Sequence, residues 1–381
     1  MKKVYYWSPF LSNIATSKAV FNSALSLKKF SKNEYKPYLI NVIGEWNLYK
    51  DEIEKNNIGL IDLGIARNFK VKKINGFLLS RFVYIKIFLL AFNPLKELLR
   101  KKPPDILILH LITSLPLLLN LIFNFKTSMV LRISGLPKLN IIRMLLWKMC
   151  LKKISCITSP TKATLDFIKS LKLNRDNFLL RDPIIHVHEI LQKKKKVSEY
   201  KDKIKKNYVA IGRLTKQKNF AFLIKCFEKI INKDNKIKLY ILGNGEEKKK
   251  LQNLIIRNKL NNNIFIEGYQ NNIYKYLKRA DAFILSSLWE DPGFVLVEAF
   301  YSNTIVISSN CKNGPVEILE NGKNGFLFEN NSENSFFQKF DEFNNTSEKN
   351  IKIIKLQAKK MSKNYSLYNH YKNLIKIINF K

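Results

Sequence analysis

The sequence predicts an α/β protein built from two doubly wound parallel-sheet domains that face one another across a cleft. Three observations carry this reading. The chain has 381 residues, enough for two separate cores. Short apolar runs alternate with amphipathic ones, the strand–helix rhythm that builds parallel sheets. That rhythm occurs twice, and between its two series "HEILQKKKKVSEYKDKIKKN" dissolves into lysines. The boundaries that follow are 1–188 for the first domain, 189–206 for a basic linker, 207–360 for the second domain and 361–381 for a terminal amphipathic helix.

In the first domain "KVYYW" reads as a strand and "AVFNSALSLKKF" as a helix. "FLLSRFVYIKIFLLAF" carries Arg81 and Lys86, and its spacing suits an amphipathic helix on a domain or membrane surface. "DILILHLITSLPLLLNLIF" holds Asp105, His110, Pro116 and Asn120, so a buried strand followed by a helix explains it better than a membrane span. "SMVLRIS" and "ISCITSP" are further strands. The second domain opens with strand "NYVAIGRL", then helix "NFAFLIKCFEKII", apolar at Phe220, Leu223, Ile224 and Phe227. Strand "IKLYILG", helix "EEKKKLQNLI", strand "NIFIEGY", helix "IYKYLKRA", strand "AFILSSL", helix "VLVEAFY" and strand "TIVISSN" follow in order. Ligands of such sheets bind outside the carboxyl ends of the strands.

Composition narrows the function classes. Hydrophobic residues at 46% exclude a disordered chain. A net charge of +37 calls for an anionic partner, discounted because AT-rich codons inflate Lys, Asn and Ile together. The lysines are scattered and no nucleic-acid module is recognisable, so no nucleic-acid partner is expected. Cys150, Cys156, Cys226 and Cys311 form no Cys-x-x-Cys pair and read as reduced thiols of a cytosolic protein. The start, "MKKVYYWSPFLSNIA", reads as a first strand rather than a signal peptide.

Three strand-end segments of the second domain are candidates for chemistry. In "GRLTKQKN", Gly212 closes a strand, and Arg213 and Lys218 flank a loop leading into a helix, a setting that suits a diphosphate. "LGNGEE" starts like a dinucleotide fingerprint, but Lys248 stands at the third glycine position; a tight strand-to-helix turn is the better reading. "SSLWEDPGFVLVEAF" places Glu290 at a strand's carboxyl end and Glu298 a turn and a half into the next helix. Gly293 allows close backbone approach, and the amides near Gly293, Phe294 and Val295 open that helix as an anion cradle. Acids interrupting so apolar a run need a reason, and Glu298 is placed to accept bonds from vicinal ribose hydroxyls. "HVHE" (His186, His188, Glu189) hints at zinc but has no second ligand cluster, and no Asp-x-Asp occurs, so no metal site is expected.

Over about Tyr208 to Phe328 these segments, with "IEGYQNNIYKYLKRADAFILSSL" and "GPVEILENGKNGFL", resemble the retaining GT-B glycosyltransferases of family 4 in their order and in the Glu-x7-Glu motif. The first domain resembles the family more loosely, through "DILILH" and "RDPII". The resemblance implies two Rossmann-like domains, the first binding the acceptor and the second a nucleotide-sugar, with the terminal helix packing back on the first. Arg213 and Lys218 would grip the diphosphate, Glu298 the ribose, and Glu290 would sit beside the transferred sugar. Gly293 and Phe294 would offer amides, Gly268 and Tyr269 would meet the base, and His110 would contact the donor sugar. It also implies retention of configuration without a metal, and no cofactor beyond the substrate nucleotide-sugar, of UDP or GDP type. Two departures stand out. The first loop, "SPFLSNIATS", has no glycine, leaving Ser12, Asn13 and Thr16 as donors, and Asn303 stands where the family has a helix-capping glycine.

The expected role is transfer of a sugar to a growing cell-envelope glycan, on a glycan or lipid-linked acceptor. The expected place is the cytoplasm, at the inner face of the plasma membrane. Lys28, Lys29, Arg81, Lys86, Arg143, Lys148, Lys152 and Lys153 suit an anionic lipid surface as well as a merely solvated face. A transferase for soluble acceptors and an inactive scaffold of the same fold stand as alternatives.

Overall fold

The computed structural model describes residues 1–10, 15–65, 77–137, 141–187, 190–191 and 206–380. Most of the lysine-rich linker, with Ser12, Asn13, His188 and Glu189, lies outside the described residues. The chain forms two compact units, Met1–Pro183 with Leu367–Lys381, and Ile184–Ser366. The first crossing therefore falls at Pro183 rather than at 188, and residues 361–366 go with the second unit.

The first unit runs β1 (Lys2–Trp7), α1 (Ala15–Phe30), β2 (Tyr35–Asn41), α2 (Lys50–Lys55), β3 (Gly59–Asp62), α3 (Phe77–Lys101), β4 (Ile106–Leu109), α4 (Ser114–Phe123), β5 (Ser128–Arg132), α5 (Ile141–Cys150), β6 (Cys156–Ser159), α6 (Lys162–Ser170) and β7 (Asp176–Leu179). The strands form one parallel sheet in the order β3-β2-β1-β4-β5-β6-β7. β4 and β6 are buried at every position because helices cover both faces. Alternate residues feed opposite cores. Trp7, Leu107, Leu109 and Leu131 pack with Ile87, Ala91 and Leu95 of α3, while Val4, Tyr6, Ile108 and Val130 pack with Val20, Phe21 and Ala24 of α1. Sequence patterning did not find β2, β3 or β7. β2 contains Pro37, which argues against an inner strand, and β3 alternates half-buried and exposed positions at the sheet edge.

The second unit runs β8 (Asn207–Ile211), α7 (Phe220–Lys233), β9 (Lys238–Leu242), α8 (Lys248–Arg257), β10 (Ile264–Gly268), α9 (Tyr274–Leu277), β11 (Ala282–Leu285), α10 (Phe294–Tyr301), β12 (Ile305–Ser309), α11 (Pro315–Ile318), β13 (Phe326–Phe328), α12 (Glu333–Asn345) and α13 (Glu348–Ser362). Its parallel sheet has the order β10-β9-β8-β11-β12-β13. The predicted stripe of α7 is wholly buried in the core, with Cys226, Ile230 and Ile231. Ser332 and Ser347 cap α12 and α13, each accepting from the amide three residues on.

A last helix, α14 (Leu367–Ile378), returns to the first unit. Leu367, Leu374 and Ile377 join the core beside α1. His370 Nδ1 donates to the Arg181 carbonyl at 2.8 Å, so in the neutral ring Nε2 accepts from Ser23 Oγ, also at 2.8 Å.

Asparagine holds many of the left-handed turns. Among the described residues nine asparagines have positive φ, against seven glycines, and Asn303, after α10, is one of them at +61°. The four cysteines are free and buried. No described helix is long and apolar enough to cross a membrane.

Candidate active site

In each sheet the strand order reverses direction once, between β1 and β4 in the first and between β8 and β11 in the second. Loops diverge at such a point, and a crevice opens at the carboxyl ends of the two strands. In the second unit those ends carry "GRLTKQK" after β8 and "SSLWED" after β11.

The two loops are stitched together. The Leu288 amide donates to the Gln217 carbonyl at 2.8 Å, Gln217 Nε2 donates to the Trp289 carbonyl at 2.9 Å, and Ser286 Oγ donates to the Lys218 carbonyl at 2.8 Å. Within this frame Lys218 Nζ meets Glu290 Oε1 at 2.5 Å, and Ser287 Oγ donates to the same oxygen at 2.5 Å. The Lys218 side chain is 14% exposed and that of Glu290 5%. Lys218 has three donors. Its one hydrogen bond among the described residues is to Glu290, so two N–H bonds remain for a ligand.

Glycine geometry explains how Lys218 gets there. A Cβ on Gly212 would lie 2.9 Å from Lys218 Cε, because the lysine stem runs across the bare glycine. The "LGNGEE" turn closes from the other side. Gly243 has φ +148°, and a Cβ there would lie 1.8 Å from the Gly212 carbonyl oxygen. The Leu214 amide donates to the Asn244 carbonyl and the Glu247 amide to the Leu214 carbonyl, both at 2.9 Å. These glycines therefore serve loop-to-loop contact, as the tight-turn reading expects.

Gly293, at φ +91°, caps α10 in the left-handed conformation. Phe294 and Val295, both half-buried, form the first turn, and their amides have no carbonyl of their own helix to meet. Glu298 is half-buried one turn further on. Arg213 is exposed, and its guanidinium makes no ion pair among the described residues. The expected pair of cations thus separates in kind: Lys218 is held by a carboxylate and Arg213 is open to solvent. Gly268 ends β10 at φ +69°, its carbonyl accepting from the Gly243 amide at 2.8 Å, and Tyr269 beside it is 70% exposed.

The first unit gathers polar groups at its own switch point. His110 follows β4, and its amide donates to the Trp7 carbonyl at 2.9 Å. Its Nε2 is buried and has no hydrogen-bond partner among the described residues. Burial, reinforced by the Arg132 and His370 charges, holds its pKa well below the ordinary 6.5, so the ring is neutral at physiological pH. Among the described residues Ser8 Oγ, after β1, is likewise buried without a partner, as are Thr158 Oγ1 and Ser159 Oγ on β6, two strands away from β4. Buried polar atoms normally find one. Two residues on, Ile112 takes φ +48°, rare for a β-branched residue; the Trp7 indole donates to its carbonyl at 3.1 Å and holds it there.

Several contributors escaped sequence reasoning. Ser287 and Gln217 orient the ion pair, and their only sequence signal is a fixed offset from Glu290 and Lys218. Arg132 pairs with Asp182 at 2.5 Å, almost fully buried, which gives "RDPII" a structural purpose. Thr16 is half-buried in α1. Of the "HVHE" group only His186 is among the described residues, which gather no cluster of three metal-ligating side chains.

Known proteins share the fold and part of the sequence. Residues 192–361 match the model of the family described as Glycosyl transferases group 1. An uncharacterized glycosyltransferase of Methanocaldococcus jannaschii is 47% identical over 112 residues, 29% of this chain and 28% of that one. A Campylobacter jejuni enzyme, N-acetylgalactosamine-N,N'-diacetylbacillosaminyl-diphospho-undecaprenol 4-alpha-N-acetylgalactosaminyltransferase, is 30% identical over 187 residues, 49% of this chain and 50% of that one. The matched stretches thus span 28% and 50% of these two relatives' own lengths. Among solved structures, a glycosyltransferase from Rickettsia africae superposes with a TM-score of 0.74 at 18% identity, covering 99% of this chain and 97% of that one. An Anabaena protein solved with UDP gives 0.68 at 16% identity, covering 99% of each. The chain therefore has the two-domain, Rossmann-like GT-B fold of solved glycosyltransferases, and its second unit carries the sequence pattern of Glycosyl transferases group 1.

Proposed function

We propose that the protein is a retaining glycosyltransferase that moves a sugar from a nucleoside-diphosphate sugar, of UDP or GDP type, to a growing cell-envelope glycan. The observation that carries this is the Lys218–Glu290 pair at the switch point of the second sheet, an ammonium fixed in place with two donors to spare. The loops around it are those matched by the family model. Relatives named for poly(ribitol-phosphate), diphospho-undecaprenol and lipopolysaccharide core substrates support the envelope role.

In the reaction the bond between the anomeric carbon and the β-phosphate oxygen breaks, and the acceptor hydroxyl oxygen bonds to that carbon on the same face. The acceptor's proton passes to the departing phosphate. Lys218, Arg213 and the amides of Gly293, Phe294 and Val295 meet the charge that develops there, so no metal is required. Such preorganised donors need no rearrangement as the charge appears. Glu290 orients Lys218 and lies beside the sugar, Glu298 accepts from the ribose hydroxyls, and Gly268 and Tyr269 flank the base. His110, neutral and with Nε2 unpartnered among the described residues, exchanges a hydrogen bond with a sugar hydroxyl.

Calorimetric titration with UDP and GDP tests the reading, with Glu298→Ala alongside. One nucleotide is expected to bind clearly better, and Glu298→Ala to weaken it roughly tenfold to a hundredfold, the loss of one or two hydrogen bonds to a charged acceptor. Failure of UDP, GDP and ADP alike to bind would remove the transferase reading and favour an inactive scaffold.

A further inference from the structure

α3 of the first unit is apolar on two opposite faces. Ile87, Ala91, Leu95 and Leu99 point into the core. Phe82, Ile85 and Leu89, spaced for a second stripe, are 68%, 57% and 67% exposed. α5 repeats the pattern: Met144 and Trp147 pack on the core, while Ile141 and Leu145 are 80% and 57% exposed. A groove of about 730 Å³ opens between these helices and α4, lined by Phe10, Tyr84, Phe88, Leu118, Leu146 and Trp147 among others. Tyr84 and Leu146 are themselves exposed, so the outer rows and the groove form one surface. An apolar surface of this extent on one side of a domain marks an interaction site.

Charge says what it meets. Lys86, Lys148, Lys152 and Lys153 are exposed on α3, α5 and the turn after α5. No Asp or Glu occurs from Ile106 to Leu165, which contains α5 and the turn after it, or from Leu63 to Lys96, which takes in α3 up to its last turns, where Glu97 pairs with Lys96 and Lys101, although the chain has 30 acidic residues. Codon drift raises lysine throughout a chain, but it does not clear acids from two chosen segments. Exposed Leu, Ile and Phe beside exposed lysines is the composition of helices that lie in a lipid interface.

We infer that the outer faces of α3 and α5 are a docking surface for an anionic phospholipid bilayer, and that the groove between them takes a hydrocarbon chain from it. This deepens the reading above, since an enzyme for a membrane-held acceptor must reach it at the bilayer surface.

The test is flotation of the full chain with phosphatidylcholine vesicles, with and without phosphatidylglycerol, combined with nucleotide calorimetry on the same samples. The wild type is expected to float with the anionic vesicles and roughly tenfold less with phosphatidylcholine alone. Leu89→Asp with Leu145→Asp, both at exposed positions that leave the core intact, should lose at least about tenfold in vesicle binding and keep its nucleotide affinity. Vesicle binding by this double variant equal to the wild type overturns the inference. So does a lipid-free dimer that the double variant converts to a monomer, because the face would then bind a second copy of the chain. Flotation as expected with no nucleotide bound would support the docking surface and sink the transferase reading alone.

Discussion

Removing either member of the Lys218–Glu290 pair should cost far more than removing both. Lys218→Met leaves the Glu290 carboxylate 5% exposed, with Ser287 Oγ as its remaining side-chain donor. Glu290→Gln leaves an ammonium 14% exposed without its counter-charge. Breaking a buried pair from one side costs about 3–5 kcal/mol. The residual exposure of Lys218 lets its head relax toward water, so about 3 kcal/mol is the expectation for each single variant. In the double variant the Gln amide oxygen still accepts from Ser287 and no lone charge is left, so the loss should fall to about 1 kcal/mol. The coupling energy of the cycle is then on the order of 5 kcal/mol, measurable by urea unfolding at neutral pH if the m-value is constant across the four proteins. Single losses that simply add in the double variant would refute the reasoning, because they would mean the two side chains are solvated independently.

Two further substitutions probe the frame around the site. Gly243→Ala sets a methyl against the Gly212 carbonyl at a φ of +148°, whereas Gly64→Ala, at φ +74°, meets nothing within 4 Å. The first should cost more than ~2 kcal/mol and the second about 1 kcal/mol in urea unfolding; equal losses would mean the loops do not pack as described. His370 is buried, and burial lowers its pKa to about 4 from 6.5. Between those values the folded state binds fewer protons than the unfolded one, so stability is complete above pH 6.5 and is lost as pH falls toward 4. A His370→Gln variant should escape ~3 kcal/mol of that acid-induced loss, and unfolding curves at pH 7 and pH 4 that shift equally in both proteins would count against it.

The alternation of strands and helices was legible because parallel strands buried on both faces are apolar runs, as in "DILILH" and "AFILSSL". β2 was not, since Pro37 sits in an inner strand, and β13 spans only three residues. Lys218 and Glu290 were each singled out, yet their ion pair was not foreseen. Seventy-two residues separate them, and what joins them is the order of strands across the sheet, which leaves no periodic trace in the chain. Arg213 and Lys218 looked equivalent in sequence because a stretch of six residues carries both. Only the bare α-carbon of Gly212 shows why one of them turns inward.

Asparagine at nine left-handed positions of the described residues, against seven glycines, has a consequence for how base composition reaches the backbone. Glycine codons are rich in G and C, and asparagine codons in A and T. Asparagine adopts the left-handed region more readily than other side-chain-bearing residues, so a drifting genome can exchange glycine for it at turns with open space. Where the absent Cβ itself is the function, as at Gly212 and Gly243, no such exchange is possible. Glycine therefore marks close contact at Gly212 and Gly243, and only a turn at Gly64 and Gly322, where nothing lies near.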